Sequence, residues 1–185
     1  YIPYGQTFGP FLCVRALDQI HNDLAYNDLP VRLIGTHGGL SSGYGPTHNT
    51  IVEFGVMNAI PNMTMIAPSD ADQCVRMLEA SLQWPGPIYV RIPRGEEPAV
   101  YNADYEYVIG RAVEVRDGSD APLIATGTGV YNSLRANEAL WMSSLLVILY
   151  DENGGFFDHA APPAAVPPDE HTAEFAFDRY GVRVP

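Results

Sequence analysis

Gly35 to Asp72 reads GTHGGLSSGYGPTHNTIVEFGVMNAIPNMTMIAPSDAD, and the rest of the chain is arranged around it. The stretch begins at the end of a predicted strand, Val31 to Thr36, where aliphatic and β-branched residues run together. A glycine-rich loop bracketed by His37 and His48 follows. The pattern then predicts a helix from Asn49 to Asn58, a short strand MTMIA, and a further helix opened by Ser69 or Asp70. Glycine takes backbone angles that other residues avoid, so such a loop brings N–H groups close to a ligand. The two histidines add groups that titrate or hydrogen-bond near neutral pH. No lysine follows the glycines, which excludes a Walker-type phosphate loop.

Upstream, Tyr1 to Gly9 reads as a strand end and loop, and Tyr1 as a cut edge. Pro10 suits a first helical turn, and FLCVRALDQIHNDLAY continues it with Cys13, Leu17, Ile20 and Leu24 at helical spacing. His21 falls on the polar side of that helix and is read as solvated. Downstream, Asp70 to Leu82 is a second amphipathic helix. Cys74, Val75, Leu78 and Leu82 form its apolar stripe, and Ser69 with Asp72 its capping box. Pro85-Gly86-Pro87 ends it, and Ile88 to Ile92 is the next strand, with Arg91 and Arg94 at its exit. Strands alternating with helices at this spacing predict an α/β fold, a mainly parallel sheet flanked by helices. Ligands of such sheets sit beyond the carboxyl ends of the strands, where the histidine loop and Arg94 both fall.

Gly95 to Asp104 is polar and reads as an interdomain linker. Val108 to Val115 is expected as an edge strand, Leu123 to Thr126 as another, and Gly127 to Leu140 as a loop and helix, the βαβ start of a second domain. The Pro/Ala tract from Ala160 to Pro168 is expected to be a stiff extended loop.

Composition narrows the function classes. Apolar content of 46% and charged content of 17% are globular values, and 185 residues can bury a core. A net charge of −12 argues against nucleic acid or an anionic membrane as partner. All ten basic residues are arginine, which excludes lysine Schiff-base chemistry. Cys13 and Cys74 fall among apolar neighbours and read as small buried hydrophobes. No signal peptide is legible, and the longest apolar run, LLVILY, is far too short to cross a bilayer, so a cytoplasmic chain is expected.

THGGLSSGYGPTH followed by IPNMTMIAPSDAD, with IPYGQTFGPFLCVRALDQI upstream, resembles the pyrimidine-binding domain of transketolase-type, thiamine-diphosphate-dependent enzymes. GRAVEVRDGSDAPLIATGTGVYNSLRANEAL is similar to the opening of the C-terminal domain of the same enzymes. From Trp141 the chain instead resembles phosphoesterases of the phospholipase C and acid phosphatase type, through YDENGGFFDH, a proline-rich segment and FDRYGVRVP. The resemblances imply three parts: 1–97, a pyrimidine-binding domain; 98–140, the start of a C-terminal domain; and 141–185, a phosphoesterase-like piece. Leu145 to Tyr150 is a strand in both patterns, so the expectation is a chimera joined within a βαβ unit.

The transketolase resemblance implies transfer of a two-carbon ketol unit between sugar phosphates, with thiamine diphosphate and Mg2+ as cofactors. Phe8 and Phe11 match aromatic positions that pack on the pyrimidine; the plainer reading is a core aromatic pair. His37 and His48 match histidines that contact the sugar and assist proton transfer; the plainer reading is loop hydrogen bonding. Arg94 matches a substrate-phosphate arginine, where the plainer reading is a solvated side chain. Tyr44 stands in GYG where the family loop often carries an acidic residue. In this family the glutamate that protonates the pyrimidine lies upstream of the phenylalanines, and Glu53 falls at a different position, without that role. The diphosphate and magnesium are held by another domain, in some relatives on a separate subunit. The resemblance therefore implies a diphosphate-domain partner subunit or a homodimer, and no turnover by this chain alone. The phosphoesterase resemblance implies metal ligation by Asp151 and Glu152 and a phosphate contact by His159, against a plainer reading of a solvated turn. Three functions remain open: ketol transfer, metal-dependent phosphate-ester hydrolysis, and a non-catalytic α/β module.

Overall fold

A computed structural model of the chain describes residues 1–40, 42–95, 97–101, 105–117 and 123–140, the side chains of 137–140 excepted. Its frame is a four-stranded sheet of β1 (Tyr4–Phe8), β2 (Arg32–Gly38), β3 (Thr64–Ile66) and β4 (Ile88–Pro93), in the order β1-β2-β4-β3. Every pairing is parallel. The expected α/β class with a parallel sheet is therefore what the chain adopts. Tyr4 to Phe8 is more than the expected strand end: it pairs in full with β2, from Tyr4 opposite Arg32 to Phe8 opposite Thr36. It is an edge strand with side chains partly open to solvent, so the sequence carries no apolar run to announce it.

Alternate residues of the strands feed two cores, because successive side chains point to opposite faces. Leu33 and Tyr89 meet Leu12, Cys13, Ile20 and Met57 on one face. Ile88 and Val90 meet Met77 on the other, with Ile34 and Ile66 alongside. The first face is covered by a helical run of Phe11–Arg15, α1 (Leu17–Gln19) and Ile20–Ala25, and by α2 (Glu53–Asn58). The outer two segments of that run are wound wide: Ala16 N–H donates to Phe11 C=O and Tyr26 N–H to His21 C=O, five residues back rather than four. His21 is exposed, as expected.

Two helices depart from expectation. The helix expected over Asn49–Asn58 begins only at Glu53, because Thr50 is held in an antiparallel bridge to Gly39 by two backbone hydrogen bonds. On the other face, α3 (Ala71–Ser81) buries Gln73, Met77 and Ser81, while Val75 and Leu82 of the expected stripe are exposed. Its cap is Asp70 rather than Ser69: Asp70 accepts from Gln73 N–H, and Gln73 Oε1 accepts from Ser69 N–H.

Arg32, inside the predicted strand, is 1% exposed with no carboxylate partner among the described residues. Its guanidinium donates to the carbonyls of Ser81, Trp84 and Gly86 at the end of α3. A cation there complements the helix dipole.

The segment expected to link two domains is tied to the start of α3, since Asp70 Oδ2 accepts from Val100 N–H at 2.7 Å. Val108–Val115 and Leu123–Thr126 form no ladder among the described residues; a strand exists only where a neighbour supplies its hydrogen bonds. The expected helix is present as α4 (Gly129–Leu140). No described helix is long and apolar enough to cross a membrane. Leu145–Tyr150 and the Ala160–Pro168 tract lie outside the described residues.

Candidate functional site

The carboxyl ends of β1 and β2 open beside the glycine loop, and the loop folds back over them. At the end of β2 the register with β4 slips between Gly35 and Gly38. His37 sits in that irregularity with φ of +60°, a left-handed conformation uncommon outside glycine and asparagine. A bulge of this kind bends a strand and re-aims one side chain, and here the re-aimed side chain is an imidazole.

Four predicted site residues converge. Phe8 and His37 meet edge to face with ring centroids 4.4 Å apart. His48, from the far end of the loop, lies 5.1 Å from Phe8 and 5.2 Å from Phe11. The phenylalanines themselves are 5.7 Å apart. All four are half-buried, neither sealed in the core nor free in solvent. Tyr44 adds a ring 5.6 Å from His48, and the Arg94 guanidinium stands 5.7 Å from the Tyr44 centroid. Arg94 thus borders the cluster through Tyr44. One face of Phe11 is covered by the Arg15 guanidinium at 4.5 Å.

The hydrogen bonds favour one tautomer of His37. Thr36 Oγ1 donates its one proton to Thr7 C=O, so it can only accept from His37 Nδ1, 3.1 Å away. Neutral His37 then carries its proton on Nδ1, and its Nε2 lone pair is left to accept. His48 Nδ1 shares a 2.8 Å hydrogen bond with Thr47 Oγ1.

Beneath the cluster lies a group to which the sequence pattern assigns no role. Glu53 is 1% exposed. Its Oε1 accepts from the Tyr89 hydroxyl at 2.7 Å and its Oε2 from Arg91 Nε at 2.8 Å. Burial, first, and the hydrogen bond to Glu53 hold the Tyr89 phenol well above its ordinary range. The neighbours of Glu53 mislead: Ile51, Val52 and Phe54 are exposed while the acid between them is buried. The legible signal was in β4, where Tyr89 and Arg91 share one face of an otherwise apolar strand and call for a buried acceptor.

A heterocycle would find aromatic edges and two imidazoles here, so the residues present fit the ring end of a thiamine-type cofactor. They offer no metal site: among the described residues no group of three His, Cys, Asp or Glu side chains could hold an ion. Asp151 and Glu152, the predicted metal ligands, and His159 lie outside the described residues. Cys13 is fully buried and Cys74 partly so; both are free thiols, and burial raises both above their usual range.

Comparison with known proteins gives two family matches. Residues 1–98 match the family described as transketolase, pyrimidine binding domain, and residues 124–185 match the phosphoesterase family. One of the subunits of the apulose-4-phosphate transketolase of Phocaeicola vulgatus is 37% identical over 68% of this chain and 41% of its own length. A putative transketolase C-terminal section from Methanocaldococcus jannaschii is 36% identical over 75% of this chain and 45% of its own. Among solved structures, a split-gene transketolase described as an inactive beta4 tetramer superposes with a TM-score of 0.68 at 30% identity, over 75% of this chain and 44% of that one. The chain thus spans less than half the length of these relatives. With the parallel sheet, the ring cluster at its carboxyl edge and a match over more than half its residues, the chain belongs to the transketolase pyrimidine-binding-domain family.

Proposed function

We propose that residues 1–97 supply the pyrimidine-binding half of a thiamine-diphosphate-dependent transketolase, acting with a partner chain that holds the diphosphate and Mg2+. The observation that carries this reading is the convergence of Phe8, Phe11, His37 and His48 at the carboxyl ends of β1 and β2. Phe11 and Phe8 would flank the heterocycle and exclude water from it. When bound, the cofactor would supply an acidic thiazolium C–H and an electron sink for chemistry at a ketose carbonyl. His37, with Nε2 as acceptor, would take a proton from a substrate hydroxyl, and His48 would orient the sugar. Arg94, at the exposed rim, would meet a substrate phosphate. The split-gene relative, described as inactive as a beta4 tetramer, supports the need for a second kind of chain.

Titration calorimetry with thiamine diphosphate and Mg2+, with and without a partner carrying the diphosphate domain, tests the reading. Tight binding is expected only in the assembled complex, followed by turnover of a ketose phosphate. A complex that assembles but binds the cofactor no better than the partner alone would overturn it.

A second reading is supported by the family match over residues 124–185. In it Asp151 and Glu152 ligate a divalent cation and His159 contacts phosphate. Hydrolysis of a chromogenic phosphate ester, lost with chelator and in Asp151→Ala, is its test. The boundaries at 97 and 140 belong to the same proposal, and separate folding of 1–97 in limited proteolysis would support the first of them.

A further inference from the structure

The geometry points to Glu53 as a positioning residue: its buried carboxylate clamps the carboxyl ends of β1, β2 and β4 together and so sets the distance between Phe8 and His37. Three glycines show how close the chain comes. A Cβ on Gly9, next to Phe8, would stand 2.5 Å from Glu53 Oε1. A Cβ on Gly38, next to His37, would stand 2.9 Å from Oε2, and one on Gly35 would stand 3.2 Å from Oε1. The same two oxygens accept from Tyr89 and Arg91, both on β4. One carboxylate thus fills the space that a side chain at the glycine beside each of two site rings would need, and is hydrogen-bonded to a third strand. Beyond the ladder itself, the two ring-bearing strands are also joined by the Thr36 hydroxyl to Thr7 C=O bond, at 3.3 Å.

The chemistry favours a carboxylate here. Arg91 Nε–H can only donate and Tyr89 O–H donates to the other oxygen, so a carboxylate satisfies both while its charge is paired with Arg91. Glutamine is isosteric but neutral: its NH2 is left facing Tyr89, whose hydroxyl must turn to accept, and the ion pair with Arg91 is lost. Aspartate keeps both acceptors but is one methylene too short to span from α2 to β4. Burial at 1% exposure makes the ion pair with Arg91 obligatory, because a lone charge in that position has no solvent to turn to.

Calling Glu53 a positioning residue rests on the proposal that the Phe8–His37–His48 cluster is the working site, and the experiment keeps the two apart. Nuclear Overhauser contacts between the His37 imidazole protons and the Phe8 ring are measured in the full chain, beside far-ultraviolet circular dichroism. Glu53→Gln is expected to keep the folded circular dichroism spectrum while the His37–Phe8 contacts fall about threefold or more, the response of a steep distance dependence to ring spacing loosened by about 1 Å. In the assembled complex, kcat should fall about tenfold or more with KM within about twofold, since ring spacing acts on the reacting geometry. A folded Glu53→Gln chain with wild-type His37–Phe8 contacts overturns the proposal. If Glu53→Gln does not fold, Tyr89→Phe and Arg91→Met, each removing one donor, decide: loosened contacts in either support the clamp, and unchanged contacts in both sink it. A wild-type complex with no turnover would remove the proposed function, yet the ring contacts would still decide the role of Glu53.

Discussion

Phe11 and His48 meet edge to face, ring centroids 5.2 Å apart with planes inclined at 64°. One opens the first helical run and the other closes the glycine loop, so the contact pins the loop end against the start of that run. Removing the ring should leave the fold intact, because Phe11 is only half-buried. Phe11→Ala is expected to weaken thiamine diphosphate binding in the assembled complex about tenfold, the scale of one aromatic contact at ~1.4 kcal/mol. Calorimetry measures it; an unchanged affinity would assign Phe11 to packing alone.

The glycines separate into two kinds that can be told apart by a single methyl group. A Cβ on Gly35 would overlap the Tyr89 hydroxyl, a group fixed by its bond to Glu53, whereas a Cβ on Gly43 meets nothing within 4 Å. Gly35→Ala is expected to cost about 2–3 kcal/mol, the range of overpacking in a core that cannot shift. Gly43→Ala should stay within about 0.5 kcal/mol of wild type. Urea denaturation of both variants checks the contrast.

The parallel sheet was legible because β2 and β4 are buried runs and their spacing admits only crossover connections. The ring cluster was legible because Phe8, Phe11, His37 and His48 stand in contiguous motifs, TFGPF and THGGLSSGYGPTH. What escaped has a common cause: the energy lies in partners far apart in the chain. The edge strand Tyr4–Phe8 leaves its side chains partly open to water, so no hydrophobic pattern marks it. Glu53 is buried among exposed apolar neighbours, the reverse of what residue type suggests, because the acceptor is needed by Tyr89 and Arg91. Val108–Val115 has a strand's composition but no ladder partner among the described residues, and composition alone forms no hydrogen bonds.

Arg32 should prove a stability residue with no part in chemistry. Its guanidinium donates to Ser81 at 2.5 Å, Trp84 at 2.6 Å and Gly86 at 2.7 Å. Burial lowers its pKa from the ordinary value, yet it stays charged at any working pH. Arg32→Met leaves three carbonyls without their donor and is expected to cost about 3 kcal/mol. Arg32→Lys, a point charge in place of a planar fork, should cost about 2 kcal/mol. Both should lower the urea midpoint with little change in m-value.

Three phenols should make the fold fail in alkali. Burial pushes Tyr107 up to about 12, and burial with the charges of Asp72 and Asp70 pushes Tyr105 up to about 12. Tyr89 is held higher still by burial and its bond to Glu53. In the unfolded chain all three ionise near pH 10. Above that pH the unfolded state sheds protons that the folded state keeps, so stability is fully present below about pH 10 and is lost as pH rises toward 12. Absorbance at 295 nm should show these tyrosines ionising together with the loss of circular dichroism. Their ionisation in a chain still folded would contradict the burial assigned to them.

His37 joins two demands on one position, and they can be separated. Its φ of +60° lies in the left-handed region, which asparagine tolerates and β-branched residues do not. His37→Asn keeps the backbone and a donor toward Thr36 but removes the lone pair assigned to Nε2. Its stability should fall by about 0.5–1.5 kcal/mol, the scale of the lost edge-to-face contact with Phe8. His37→Val adds the left-handed strain of about 1–2 kcal/mol and loses the hydrogen bond as well. If His37 moves a proton, kcat of the assembled complex should fall about a hundredfold or more in both variants, the scale of one general base. Activity would then follow the imidazole while stability follows the backbone. A His37→Asn complex with wild-type kcat would leave the bulge as a structural feature and move the search for the proton acceptor to His48.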